Sequence, residues 1–322
     1  MMAAAAVYVA VQQFCETDDR PRQPLPEAGF ELRHNNLGRR LRRAEMTELL
    51  RGADAVIAGV EPYDEALFAA LPRLRCISRI GVGTDAIDLA AAQRREIAIL
   101  TSGEEVVEPV AQMTVAMMLA LARNLPLHLH DVRAGEWKKR TGVLLSEWTI
   151  GLLGFGRIGR AVAHGLRAFG PRIVVTDPCL TAEGVPSGVQ AVGLERLLAE
   201  SDLVSVHASR PAAEGALIGE RELGLMKPGS YFVNTARGYF VDESALAAAL
   251  RNGRLAGAAL DVFGEEPYRG PLAAMPQVLC TPHVSTLTRA SRAAMELRAA
   301  ENVISFFRQH HLANYAAVRS EV

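Results

Sequence analysis

The hexapeptide Gly154-Phe155-Gly156-Arg157-Ile158-Gly159 constrains this chain more than any other segment. It follows the apolar, β-branched run Thr149 to Leu153 and opens a stretch rich in Ala, Leu and Val, so a strand must turn sharply into a helix there. The three glycines serve separate purposes, namely a tight turn, close backbone approach to a pyrophosphate, and close packing of helix on strand, with the helix N-terminus aimed at the anion. Such a hexapeptide is weak evidence by itself. The context strengthens it, because a second strand ends at Asp177, 18 residues after Gly159, where an acid meets the ribose hydroxyls of an adenosine. Gly154, Gly156, Arg157, Ile158, Gly159 and Asp177 are therefore candidate cofactor-binding residues. A carboxylate about 4 Å from a 2′-phosphate is repelled by several kcal/mol at an effective dielectric near 20, so NAD is expected rather than NADP. Arg172 and Arg210 are possible phosphate partners, but neither follows the acid as an NADP-selecting arginine does, and solvated surface arginines are the simpler reading of both.

Around this loop the chain alternates short apolar runs with helix-like stretches. Before it, Val7 to Val11, Ala55 to Ala58, Cys76 to Ile80 and Ala98 to Leu100 read as strands, with helical patterns at Met46 to Gly52, Tyr63 to Leu71 and Asp88 to Arg95. After it, strands are expected at Ile173 to Thr176, Leu203 to His207, Tyr231 to Asn234, Gly257 to Asp261 and Val278 to Cys280, and helices at Gly193 to Ala199 and Glu243 to Asn252. Alternation of this kind implies parallel strands joined by crossover helices, with ligand-facing loops at the carboxyl ends of the strands. The last helical stretch, Arg289 to Phe307, has no strand after it and is expected to return to the first domain, leaving a polar tail from Gln309. The fold class is α/β: two doubly wound parallel-sheet domains, a Rossmann NAD-binding domain at residues 101–287 inserted in a flavodoxin-like substrate domain built from 1–100 and 288–322.

In the stretch Glu108 to Asn124, 11 of the 13 residues from Val110 to Ala122 are apolar, so a helix there is expected to be buried on nearly all sides. A second subunit is a natural source of that cover, and a homodimer is expected, with the segment carrying Trp137 and Trp148 extending the contact. Lys and Arg total 35 against 36 Asp and Glu, with mean hydropathy +0.10, which fits a compact globule and gives no basic face for nucleic acid. The densest apolar run, Val115 to Ala122, is far short of the roughly 20 residues of a membrane span. Cys15, Cys76, Cys179 and Cys280 stand apart, with no zinc-ligand spacing, so no metal is expected and a reduced cytoplasmic protein is the simplest reading. Cys280 could be reactive, but a cysteine ending an apolar strand is usually a small core residue.

Three polar residues sit at or just past strand ends late in the chain: Arg237, Glu266 and His283. A guanidinium, a carboxylate and an imidazole form a workable set for reducing a 2-oxo acid. Here a resemblance enters. Gly154 to Gly159, Asn234-Thr235-Ala236-Arg237-Gly238 with Val241-Asp242-Glu243, Gly257 to Phe263 with Glu265-Glu266-Pro267, and Thr281-Pro282-His283 resemble the D-isomer-specific 2-hydroxyacid dehydrogenase family. Gly81-Val82-Gly83-Thr84-Asp85-Ala86-Ile87-Asp88 is similar to the substrate loop of its first domain.

The resemblance implies an NAD-dependent dehydrogenase interconverting a small D-2-hydroxy acid and its 2-oxo acid. Arg237 would hold the substrate carboxylate and polarise the carbonyl. His283 would be the general acid or base, and Glu266 would orient it and favour its protonated form. The amides of Val82 and Gly83 would bind the far end of the carboxylate. His207, Thr114, Thr235, Ala236 and Asp261 would line the cofactor. Two segments depart from the family pattern: Gln112 stands where a Glu is usual, and Ala208-Ser209-Arg210-Pro211 replaces the usual x-P-L-T.

Ser78 to Gly83 and Asn36 to Leu41 are closest to the D-3-phosphoglycerate dehydrogenases, whose substrate phosphate Arg79 and Arg40 could bind. Gly59-Val60 stands where many of those enzymes have Arg-Ser, and the cluster Arg39, Arg40, Arg42 and Arg43 reads more simply as a solvated helix face. The substrate choice therefore stays open among 3-phosphoglycerate, glyoxylate or hydroxypyruvate, and a larger 2-oxo acid. An NADH-sensing co-repressor on the same fold, as one branch of the family is, remains the reading from another class.

Overall fold

A computed structural model of the 322-residue chain describes residues 5–181, 184–209 and 215–319, with side chains up to residue 309. Arg210 lies outside the described residues. The chain divides into two compact units, Met1–Val106 with Leu287–Val322, and Val107–Thr286. The first division falls a few residues later than the sequence pattern placed it, because the loop after the strand Ala98–Thr101 stays with the first unit. Ser102 donates its hydroxyl to the Met295 carbonyl, and Glu105 pairs with Arg298.

Among its described residues the first unit holds five parallel strands, β1 (Ala6–Val9), β2 (Glu31–His34), β3 (Ala55–Ala58), β4 (Cys76–Arg79) and β5 (Ala98–Thr101), in the order β2-β1-β3-β4-β5. That is the flavodoxin-like order, with its reversal at β1/β3. β1 and β3 are buried along their whole length, as strands covered on both faces must be. The edge strand β2, of sequence ELRH, alternates exposed and half-buried residues and carries charges, so no apolar run announces it. The helix Arg289–Arg319 runs 31 residues, past the expected end at Phe307. It buries Met295, Ala299, Ala300, Val303 and Phe307 in this unit, and the Phe307 ring meets Phe30 edge-on at 5.4 Å.

The second unit holds β6 (Thr149–Leu153), β7 (Arg172–Thr176), β8 (Val189–Ala191), β9 (Leu203–Val206), β10 (Ser230–Asn234), β11 (Leu255–Leu260) and β12 (Val278–Cys280), all parallel. Their order, β12-β11-β10-β9-β6-β7-β8, is the doubly wound dinucleotide-binding order with one strand added at the β12 edge. Alternate residues feed two cores: Phe232, Val174 and Leu260 face one, Val233, Val175 and Ala259 the other.

The helix Val107–Ala122 buries Val110, Thr114, Met117, Met118 and Leu121, but Gln112 and Ala116 are exposed, so its cover in the single chain is incomplete. Trp148, expected at a subunit contact, is buried in its own unit, 5.0 Å from the Tyr231 ring. Among the described residues no single helix is long and apolar enough to cross a membrane.

Candidate active site

Reversal of strand order between β6 and β9 opens a crevice at their carboxyl ends. Gly154 leaves β6 at φ +95°, a conformation open to glycine, and a Cβ there would stand 2.6 Å from the His207 carbonyl group. A Cβ on Gly159 would overlap the Gly154 carbonyl oxygen. Gly156 differs from both. A Cβ there would meet nothing within 4 Å, so no protein atom demands glycine at the N-cap of the helix Arg157–Leu166. The space is what an approaching pyrophosphate requires. Arg157 is exposed and Ile158 half-buried beside it.

Asp177 follows β7 and takes Phe155 N–H at 2.7 Å and Cys179 N–H at 2.8 Å, which ties the acid to the glycine loop. His207, just past β9, is buried; its Nε2 lies 2.9 Å from the Ser205 hydroxyl, and burial pushes its pKa down to about 4. It is a neutral wall of the crevice, and Ser205 is a partner the sequence did not signal. Thr114 is fully buried and bonds the Val110 carbonyl and the Thr235 hydroxyl, each at 2.8 Å. Thr114, expected on the cofactor, presents its hydroxyl to that of Thr235. Arg172 pairs with Glu200 at 2.7 Å, so a solvated ion pair occupies it.

The three polar groups at strand ends fall on adjacent strands, since Asn234 pairs with Leu260 and Leu260 with Cys280. Asn234 closes the turn after β10, its amide donating to the Arg237 carbonyl and its Oδ1 accepting from Ala236 N–H. Arg237 is half-buried. The next residue, Gly238, runs so close to the Phe263 and Gly264 backbone that a Cβ would overlap both, which fixes the loop after β10 against the loop after β11. Glu266 closes that second loop by accepting Phe263 N–H at 3.1 Å.

His283 Nδ1 lies 2.9 Å from Glu266 Oε2 and 3.2 Å from Oε1. A carboxylate at Nδ1 fixes the ring and turns Nε2 away from it, as a general acid needs. His283 sits at φ +55°, a strained conformation for a non-glycine residue that the surroundings must enforce. Asp261 enforces it. This fully buried carboxylate, expected on the cofactor, accepts Thr281 Oγ1 and Val284 N–H at Oδ1, and Ser285 N–H and Oγ at Oδ2. Those four bonds bracket His283. Ser285 lies 24 residues from Asp261, a partnership no local motif reveals.

In the first unit, Arg79 ends β4 and donates to the Ile80 carbonyl, Gly81 turns at φ +117°, and Val82 is exposed on the following loop beside Gly83. Arg39 pairs with Glu45 and Arg43 with Asp64, so half of the arginine cluster is spent on surface ion pairs, while Arg40 donates to the Val60 carbonyl. Cys280 is half-buried and packs against the core of its unit, and burial pushes its thiol up to about 11. Among the described residues no cluster of three or more His, Cys, Asp or Glu is arranged to hold a metal ion.

A glycine-rich crevice at a Rossmann switch point, with a carboxylate-held histidine and an arginine on the neighbouring strand ends, defines an NAD-linked dehydrogenase. Residues 115–285 match the NAD binding domain of the D-isomer specific 2-hydroxyacid dehydrogenases. The chain is 41% identical over 269 residues to a glyoxylate reductase of Aeropyrum pernix, covering 80% of each. It is 35% identical over 256 residues to a D-3-phosphoglycerate dehydrogenase of Mycobacterium tuberculosis, covering 78% of this chain and 48% of that one. The crystal structure of a glyoxylate reductase from Paecilomyes thermophila superposes with a TM-score of 0.83 at 31% identity, covering 95% of both chains. The chain belongs to the D-isomer specific 2-hydroxyacid dehydrogenase family and is an NAD-dependent oxidoreductase of D-2-hydroxy acids.

Proposed function

We propose that this enzyme reduces a small 2-oxo acid of the glyoxylate or hydroxypyruvate kind to the D-2-hydroxy acid. The observation that carries the proposal is the Glu266–His283 pair at 2.9 Å, on a loop whose strained histidine is enforced by four hydrogen bonds to Asp261. When bound, NADH supplies the hydride, and the crevice around Gly156, with Asp177 at its rim, suits NADH rather than its 2′-phosphate. Arg237 holds the substrate carboxylate and places positive charge where the carbonyl oxygen becomes negative. His283 Nε2 delivers a proton to that oxygen, while Glu266 stabilises the imidazolium before transfer and keeps the ring oriented afterwards. On the first unit, the loop of Val82 and Gly83, which follows Arg79, is the substrate loop that the resemblance implies.

The test is a panel of 2-oxo acids followed by NADH absorbance. Steady turnover of glyoxylate or hydroxypyruvate is expected, and His283→Ala or Arg237→Ala should lower kcat/KM by at least ~10²-fold with NADH binding retained. Near-normal activity in either variant refutes the assignment, and NADH binding without turnover of any 2-oxo acid favours a co-repressor.

We also propose a homodimer. Exposed Leu125, Leu129, Val132, Leu144 and Trp137, the last 85% exposed, form an apolar set on the segment following the incompletely covered helix Val107–Ala122. A second copy would cover it. Trp137→Glu should yield monomers by sedimentation; an unchanged mass distribution excludes this face.

A further inference from the structure

Behind the substrate loop of the first unit lie two buried polar side chains that the mechanism above does not use. Glu61 is 3% exposed and Tyr63 1%, and neither Glu61 Oε2 nor the Tyr63 hydroxyl has a hydrogen-bond partner. Their segment is stitched to the substrate loop: Tyr63 N–H donates to the Ala86 carbonyl, Asp88 N–H to the Tyr63 carbonyl, and Tyr63 bridges Ile87 as a short parallel pair. Register puts Ala58 at the end of β3 beside Arg79 at the end of β4, so the loops holding Glu61 and Arg79 leave adjacent strands.

Two glycines make room for the two charges. A Cβ on Gly59 would stand 2.9 Å from Glu61 Oε2, and a Cβ on Gly81 would overlap the Arg79 guanidinium. The Tyr63 phenol registers both: burial pushes its pKa well up, Glu61 raises it further, and Arg79 lowers it. The carboxylate and the guanidinium thus act on one buried ring. Arg40, a further cation near this edge, is solvent-exposed, and its charge is screened as a buried carboxylate's is not.

We propose that Glu61 is a specificity-determining residue: its buried carboxylate offsets the Arg79 charge beside the Val82-Gly83 loop, so the enzyme selects 2-oxo acids whose substituent is absent or uncharged and disfavours those with an anionic tail. This rests on the functional reading above and deepens it, because it separates the chemistry of glyoxylate and hydroxypyruvate from that of a phosphorylated 2-oxo acid. A buried carboxylate, poorly screened by water, repels an anionic tail without touching it.

The experiment compares kcat/KM for glyoxylate, hydroxypyruvate and the 3-phosphate ester of hydroxypyruvate. Wild type should favour hydroxypyruvate over the ester, and Glu61→Gln should raise the ester-to-hydroxypyruvate ratio by about tenfold or more, from loss of one poorly screened repulsion. Wild-type preference for the ester, or an unchanged ratio in folded Glu61→Gln, overturns the proposal. Should Glu61→Gln not fold, Arg79→Gln decides, since leaving Glu61 unopposed must push the ratio further down; a ratio that holds or rises overturns the assignment. Tyr63→Phe removes the hydroxyl and keeps the charge, so a shift as large as that of Glu61→Gln also overturns it. A wild type inert toward all three acids is a different failure, that of the functional reading itself.

Discussion

Asp261→Ala is the perturbation that most directly tests how the histidine is held. The carboxylate receives four donors: two hydroxyls, Thr281 Oγ1 and Ser285 Oγ at 2.5 Å each, and two backbone amides, Val284 and Ser285 at 2.9 Å each. In the variant the hydroxyls can rotate to other acceptors, but the amides cannot. A buried donor left without a partner costs about 1–3 kcal/mol. Ser285 is buried and bears the full penalty, whereas half-buried Val284 can recover part of it from water, so the expected loss is ~2–4 kcal/mol. Denaturant melts of the apo protein measure it. The same loop carries His283 at φ +55°, a backbone state that relaxes once its brackets are cut. Steady-state assays should therefore show kcat/KM falling by at least ~10²-fold, as deep as for loss of the general acid itself. A variant within about 0.5 kcal/mol of wild type, the scale of an inert surface change, would show that the four bonds hold nothing. So would normal turnover.

Gly156→Ala should leave stability within about 0.5 kcal/mol, because its Cβ points into open space at φ −73°, yet weaken NADH binding by about tenfold or more as measured by fluorescence titration. His207 has a pKa of about 4 in the folded chain, against about 6.5 when unfolded. Between those values only the unfolded chain takes up the proton, so this group should remove ~3 kcal/mol of stability as pH falls from about 6.5 to about 4. Melts at pH 7 and pH 4.5 should show a shallower pH dependence in His207→Phe than in wild type; equal slopes refute the buried neutral ring. Asp177→Ser should raise the NADPH-to-NADH ratio of kcat/KM by about tenfold or more, read from paired cofactor assays.

The interior strands were legible because burial on both faces leaves continuous apolar runs: Ala55–Ala58 and Thr149–Leu153 lie where the pattern puts them. β2 and β8, each at a sheet edge, were not. They pair on one side only, and their sequences ELRH and VQA are partly exposed. The site divides similarly. Glycines with a steric duty and acids at fixed reach from them can be read from spacing, as Gly154 and Asp177 show. Contacts such as Asp261 with Ser285, Gly238 against the Phe263 backbone, or Tyr63 on Ala86 depend on which loops meet, and no single segment encodes that.

The long C-terminal helix gives the first unit an unusual order of assembly. Its sheet is written in the opening third of the chain, but Met295, Ala299, Val303 and Phe307, which bury against that unit, emerge last. Chains are made from the N-terminus at about 5–20 residues per second, and domains fold as units while they emerge. Residues 107–286 are therefore synthesised before the helix that covers the earlier sheet. A truncation that removes only the final helix would strand an intact cofactor fold beside an open apolar sheet, and the product should be sought among aggregates before it is scored as inactive.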